Sequence, residues 1–276
     1  MKRVLNLRPS RATRLALGVL PFVLLLAAYL AASSARLAEN PNDKLLPSFG
    51  SIGEAIHRVA VEPDKRSGEV LLWADTAASL RRLGLGVGIS ALIGLTFGIA
   101  LGAIPLARAG LAPFVESLSL IPPMAVLPIL FVVFGLDELS KVVLIVFGIA
   151  PFIVRDLQQR TQELPHELIV KAQTLGGNTW QIILRVVLPQ VLPRLIDAVR
   201  LSLGAAWLFL IAAEAIAATE GLGYRIFLVR RYLAMDVILP YVVWITLLAY
   251  LTDLALRLLS RAAFPWYGPA GARGTA

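Results

Sequence analysis

Residues 83–107 read LGLGVGISALIGLTFGIALGAIPLA, with no charged side chain anywhere in the stretch. A bilayer's hydrocarbon layer is ~30 Å thick and a helix rises ~1.5 Å per residue, so ~20 such residues cross it. Comparable uncharged runs cover Leu15–Ala35 and Ser117–Leu136. Shorter ones cover Val142–Val154, Leu201–Ala213 and Val237–Thr252, each extendable through a flanking residue that can snorkel. The six runs predict an all-α membrane protein with six transmembrane helices. Composition agrees: 58% of the 276 residues are hydrophobic and 16% charged, against about 45–50% and 25% in soluble domains.

The charges orient this array. Residues 1–14 hold Lys2, Arg3, Arg8, Arg11 and Arg14 and no acid. Positive charge resists translocation, which assigns 1–14 as a cytoplasmic tail and 15–35 as the first span. Ala31-Ala32-Ser33 resembles a signal-peptidase site, but the uncharged run is longer than the ~7–15 residues of a signal peptide's apolar region. The anchor reading is preferred. Residues 36–77 then form a periplasmic segment broken by Pro41, Pro47 and Pro63, in which Ser51–Val61 reads as a short surface helix. Residues 78–260 form a five-helix core, and 261–276, ending in a Gly-, Pro- and Ala-rich stretch, are expected to be a disordered cytoplasmic tail. Both termini are cytoplasmic in this multi-pass arrangement.

The net charge of +8 comes from residues that mostly flank the apolar runs, with no basic patch interleaved with aromatics, so a nucleic-acid partner is not indicated. No cysteine occurs and only two histidines, His57 and His166. Neither a metal site nor a cofactor is implied.

Within the opening stretch Gly86, Ser90, Gly94, Gly98 and Gly102 recur every fourth position. Such a ridge lets another helix approach closely, in the bundle or across a subunit interface.

Residues 155–194 are too polar to cross a bilayer and too patterned for a simple loop. Leu164, Leu168, Ala172 and Leu175 form one helical stripe, and Glu167 and Lys171 are spaced for an i,i+4 pair. Gly176-Gly177 ends that helix. Asn178, with Gln181 three residues on, starts a second in the manner of a capping box, and Pro189 and Pro193 are expected to close it. Two short helices joined by a sharp bend can fit a groove on a soluble partner, or can lie on the lipid surface. Periodicity alone leaves both open.

The sequence of this stretch resembles the "EAA" loop of ATP-binding-cassette importer permeases. That pattern is Glu-Ala-Ala, three residues, Gly, nine residues, Ile, one residue, Leu-Pro. Gly176, Val186 and Leu188-Pro189 keep the spacing; Val170 and Lys171 stand where Glu and the first Ala are usual, and Ala172 is retained. Leu45-Leu46-Pro47-Ser48, Ser79-Leu80-Arg81-Arg82, Ile121-Pro122-Pro123, Phe134-Gly135, Ala213-Glu214 and Gly221-Leu222-Gly223-Tyr224 follow in family order, resembling the nitrate/sulfonate/taurine branch. The resemblance implies a type I importer permease in a bacterial inner (plasma) membrane, paired with a second permease copy as a homodimer. It further implies ATP-binding-cassette ATPase subunits as partners, a periplasmic substrate-binding protein, and a small, usually anionic solute. The coupling residues it implies are Glu167, Lys171, Ala172, Thr174, Leu175, Gly176, Gly177, Leu188 and Pro189.

Inside the apolar runs, four residues are candidates for the translocation path. Glu214 must face protein or water, because a carboxylate at the centre of a membrane helix costs ~2.5–3.5 kcal/mol on insertion scales; a path role and a structural pairing are both open. Pro122 and Pro123 break helical hydrogen bonding, at a cavity or at a simple kink, and Trp207 either packs or contacts solute. Arg200, Arg225 and Arg230 suit an anion better but lie nearer the ends. Asp253 and Arg257 read as a structural i,i+4 pair. No G-x-x-x-x-G-K-[ST], H-E-x-x-H or G-x-S-x-G occurs, so the chain is expected not to be an enzyme. A stand-alone secondary transporter or channel is the alternative.

Overall fold

The ridge of small residues explains the centre of the fold. In the computed structural model, which describes residues 10–40, 43–65 and 68–267, helix α3 (Leu71–Ala103) packs along α6 (Glu138–Gln162). Gly86, Ser90, Gly94, Gly98 and Gly102 are all buried. The glycines meet Ile145, Ile153, Leu157 and Thr161 in the same register, so the two helices run parallel. A methyl group on Gly86 would stand 2.7 Å from Ile145 Cγ2, and one on Gly98 2.6 Å from Leu157 Cβ. The backbones therefore touch at distances only glycine permits, and dispersion contacts stand in for the hydrophobic drive that lipid does not supply. The ridge is a contact within the bundle.

Parallel neighbours need a return crossing, which α4 (Pro105–Ser119) and α5 (Pro123–Phe134) supply. The run 117–136 is broken where Pro122 and Pro123 were read to interrupt it. Pro122 has no N–H to continue a helix, α5 restarts at Pro123, and the two pieces bend by 97°. Among the described residues four helices are long and apolar enough to cross a membrane: α1 (Arg11–Glu39), α3, the continuous helix Thr179–Ala217, and α11 (Met235–Ala263). The α4–α5 pair makes a fifth if counted as one bent span. Helix α6 does not meet that measure: it carries Lys141, Arg155, Asp156 and Arg160 and buries thirteen of its 25 residues among the other helices.

All elements among the described residues are helical. Short α2 (Phe49–Ala60), expected over Ser51–Val61, starts at a Ser48 cap and buries Ala55 and Val59. By contrast α1 buries only Ser33. It is held at one end, where Tyr29 O–H donates to Pro47 O (2.7 Å) and Ser33 O–H to Leu46 O (3.0 Å). Lys2, Arg3, Arg8, Pro41 and the tail beyond 267 lie outside the described residues. Helix α11 continues to Ala263, and Tyr267 donates to Asp197 Oδ2 at 2.8 Å, so this segment is packed as far as 267.

The remaining elements are α7 (His166–Thr174), α8 (Thr179–Ile182), a π turn (Ile183–Val187), α9 (Leu188–Ala217) and α10 (Leu222–Arg230). Pro189 and Pro193 do not close the second short helix as expected. Pro189 sits in the first turn of α9, where a missing N–H is tolerated. The π turn just before it takes up the change of register.

Candidate functional site

Two clusters stand apart from the apolar packing, one at each end of the bundle. At the end where α3 and α6 begin lies a buried ionic clasp. Asp75, Ser79 and Arg82 are on the same face of α3 as the small-residue ridge, and all three are buried. Arg82 grips Glu138 of α6 with two nitrogens, Nε to Oε2 at 2.5 Å and Nη2 to Oε1 at 2.7 Å. Its Nη1 reaches Glu214 Oε1 of α9 at 2.7 Å and the Glu220 carbonyl at 2.9 Å. Lys141 Nζ approaches Glu138 Oε1 from the far side at 3.1 Å.

Glu214 is wholly buried and its carboxylate is fully engaged. Ser79 O–H donates to it at 2.7 Å and the Gly223 N–H at 2.8 Å. Ser79 Oγ in turn accepts the Leu222 N–H (2.9 Å), and Asp75 Oδ1 accepts the Gly221 N–H (2.9 Å). Charge-assisted bonds thus pin the start of α10 onto α3. Asp75 also accepts from Arg225 Nε (2.8 Å) and Tyr241 O–H (3.0 Å), bringing in α11. Gly221 has φ +122°, and a Cβ there would strike Glu214 and Arg82, so only glycine turns the corner.

Three short motifs far apart in the chain, Ser79–Arg82, Ala213-Glu214 and Gly221–Tyr224, are therefore one object. Sequence reading singled out Glu214 and quoted Ser79–Arg82 as a family match without pairing them, and it passed over Asp75 and Glu138. The signal was available, because Asp75, Ser79 and Arg82 extend the ridge at helical spacing into a segment assigned partly to a surface loop.

The other candidates for the path are dispersed. Trp207 is buried, with its indole N–H lacking a hydrogen-bond partner among the described residues. Pro122 is exposed at the α4–α5 break. None of the four lines the cleft of about 330 Å³ between α6 and α9, whose wall includes Phe152, Asp156, Leu201 and Ser202. Of the candidate cations, Arg225 is bound to Asp75, and Arg200 to Asp197 (3.2 Å) and Asp253 (2.8 Å). Arg230 stacks over Phe227 at 4.9 Å. Asp253 and Arg257 pair at 2.6 Å, as their spacing indicated.

At the opposite end, where α6 stops and α9 starts, α7 and α8 form an elbow. Gly176 takes φ +80°. A Cβ on Gly177 would lie 2.8 Å from the Ala172 carbonyl. The second arm starts on a true capping box: Asn178 Oδ1 accepts the Gln181 N–H, and Gln181 Oε1 the Asn178 N–H, both at 2.9 Å.

Leu164, just before α7, packs against the core, but α7 itself buries no residue. Leu175 is 88% and Trp180 71% exposed. Glu167 and Lys171 are exposed, and no ion pair joins them. Thr174 O–H donates to the Lys171 carbonyl (2.9 Å), and Leu188 and Pro189 are half-buried where α9 starts. Gln159 and then Arg160 donate to Glu163, and both hold its carboxyl below the usual carboxylate range.

These features define a polytopic helical membrane protein with a cross-linked bundle at one end and an unburied, rigid elbow at the other. The chain belongs to the family described as binding-protein-dependent transport system inner membrane component, whose profile matches residues 92–265. It is 37% identical over 200 residues to the taurine transport system permease protein TauC of Escherichia coli K12, covering 72% of this chain and 73% of that one. It is 32% identical over 200 residues to the putative aliphatic sulfonates transport permease protein SsuC of Bacillus subtilis, with 72% of each covered. Against the bicarbonate transport system permease protein CmpB of Synechococcus elongatus, identity is 29% over 194 residues and 69% of each chain. A solved chain from an inward-facing conformation of the MetNI methionine ABC transporter superposes with TM-score 0.61 and 25% identity, over 69% of this chain and 95% of that one.

Proposed function

We propose that this chain is the membrane-spanning permease subunit of an ATP-driven importer for a small organic or inorganic anion of the sulfonate, taurine or bicarbonate kind. Two copies enclose one path, two ATPase subunits supply the energy, and a periplasmic binding protein delivers the solute. The chain itself does not hydrolyse ATP. Six spans, with the α4–α5 pair as one of them, place both termini and the elbow in the cytoplasm. The clasp and α10 then lie at the periplasmic side.

The observation that carries this reading is the elbow: two helical arms fixed by a glycine bend and a capping box, projecting large apolar side chains into solvent. A lone protein gains nothing by exposing Leu175 and Trp180 there, whereas a partner's groove would bury both. Glu167, Lys171, Ala172, Thr174, Gly176 and Gly177 shape or flank that contact. Leu188 and Pro189 join it through the π turn to α9, so a push on the elbow moves a spanning helix. Pro122 and Pro123 stand at the α4–α5 break, where irregular backbone can border the path. Glu214 and Trp207 act behind the path wall, because both are buried in protein.

The test is reconstitution with the cognate ATPase and binding protein. Gly176→Val, which forces a β-branched residue into φ +80°, leaves ATP hydrolysis measurable and abolishes ATP-driven taurine or sulfonate uptake. Undiminished uptake by Gly176→Val, or uptake driven by an ion gradient without any ATPase, would overturn the assignment.

A further inference from the structure

We propose that the notch inside the elbow bend receives a carboxylate-bearing side chain of the ATPase subunit, with Arg185 as its counter-charge. The proposal rests on the permease reading above and adds the polarity of its contact.

The notch is a recess of about 380 Å³ under the Gly176 bend. Ala172, Leu175, Ile182 and Val186 give it apolar walls, Gln181 closes one side, and Arg185 is the one charged residue lining it. Arg185 is exposed and has no hydrogen bond or ion pair among the described residues. That sets it apart from the arginines around it. Arg160 pairs with Glu163 (3.2 Å), Arg194 stacks on Tyr267 (4.9 Å), and Arg200 is held by two aspartates. The acids of the elbow cannot serve it: Glu163 is bound by Gln159 and Arg160, and Glu167 lies on the outer surface of α7 without lining the notch.

An arginine at the rim of an apolar recess is a receptor for a planar anion. A carboxylate entering the recess leaves bulk water while forming up to two N–H···O bonds, and such pairs are the stronger class of interfacial contact. The recess is rigid, since the capping box and the close approach of Gly177 to the Ala172 carbonyl fix both arms. Its shape favours a protein side chain over a lipid surface, because the walls are concave and a plane of phosphates cannot enter.

The experiment measures binding of the purified cognate ATPase to the full-length permease in nanodiscs, as a function of salt. The expected result is a loss of affinity of tenfold or more for Arg185→Glu. Arg185→Gln weakens binding less and flattens its salt dependence, and Arg185→Lys retains most of it. Unchanged melting temperatures show that the variants fold. An acid-to-arginine change on the ATPase that restores binding to Arg185→Glu supports the pairing directly.

If Arg185→Glu and Arg185→Gln bind within twofold of wild type while Leu175→Asp abolishes binding, the contact is apolar. The Arg185 proposal then fails and the permease reading stands. If neither Leu175→Asp nor Arg185→Glu alters binding, both fail. If Arg185→Glu matters in nanodiscs containing phosphatidylglycerol but not in neutral ones, Arg185 serves the lipid surface, which also overturns the pairing.

Discussion

Replacing Arg82 by methionine should be among the most damaging single changes in the chain, and the structure gives the size of the effect. The Arg82 side chain is 2% exposed and meets Glu138 on α6, Glu214 on α9 and the carbonyl of Glu220. Methionine keeps most of the volume but leaves Glu214, fully buried, as an uncompensated carboxylate with only Ser79 and the Gly223 N–H. Breaking a buried pair by removing one partner costs about 3–5 kcal/mol, which for a chain of this size lowers the melting temperature by on the order of 10 °C. Glu214→Gln alone should cost less, because Arg82 keeps both oxygens of Glu138. The double variant Arg82→Met/Glu214→Gln should then be more stable than Arg82→Met. The assay is thermal unfolding of the detergent-purified protein followed by tryptophan fluorescence. Trp244 donates to Thr76 Oγ1 at 2.9 Å and meets Trp73 edge-on, so a reporter sits beside the clasp. An Arg82→Met protein melting within 1–2 °C of wild type, or strict additivity of the two changes, would refute the reasoning.

Four further outcomes follow from named contacts, all but one read by the same melting assay. Gly94→Val drives a side chain into Ile153 and should destabilise by about 1–3 kcal/mol or more. Gly88→Ala, with nothing within 4 Å of its new methyl group, should stay within about 0.5 kcal/mol of wild type. Gly221→Ala meets both a φ of +122° and the Glu214 carboxylate, so it should loosen α10 and expose the segment 218–234 to limited proteolysis. Trp207→Phe removes a buried N–H without a partner among the described residues, but it also leaves a void in the packed core, so it should destabilise by about 1–2 kcal/mol.

The sequence made the helical class legible because uncharged runs of this length have few other uses, and the glycine ridge announced close packing. It did not show which helix the ridge meets. Partner choice depends on how the chain returns through α4 and α5; Pro122 and Pro123 signalled a break there, but nothing local gives its 97° angle. The elbow was readable to the residue at Gly176, Asn178 and Gln181, because caps and bends are local chemistry. Beyond Gln181 the reading failed: Pro189 and Pro193 signal a stop, yet the π turn at 183–187 carries the helix on into α9. Glu214 stood out as a lone acid in an apolar run and drew attention to the solute path. Its counter-ion lies 132 positions away, a separation no local pattern can bridge.

The claim that the elbow faces the cytoplasm and is covered there by the ATPase can be measured directly, since the chain contains no cysteine. Leu175→Cys and, at the opposite end, Tyr232→Cys, which is 69% exposed in the wild-type side chain, are each treated with a membrane-impermeant maleimide. The account predicts that Tyr232→Cys reacts in spheroplasts, while Leu175→Cys reacts only in inside-out vesicles and is protected there by added ATPase. Labelling of Leu175→Cys from outside intact spheroplasts would contradict it.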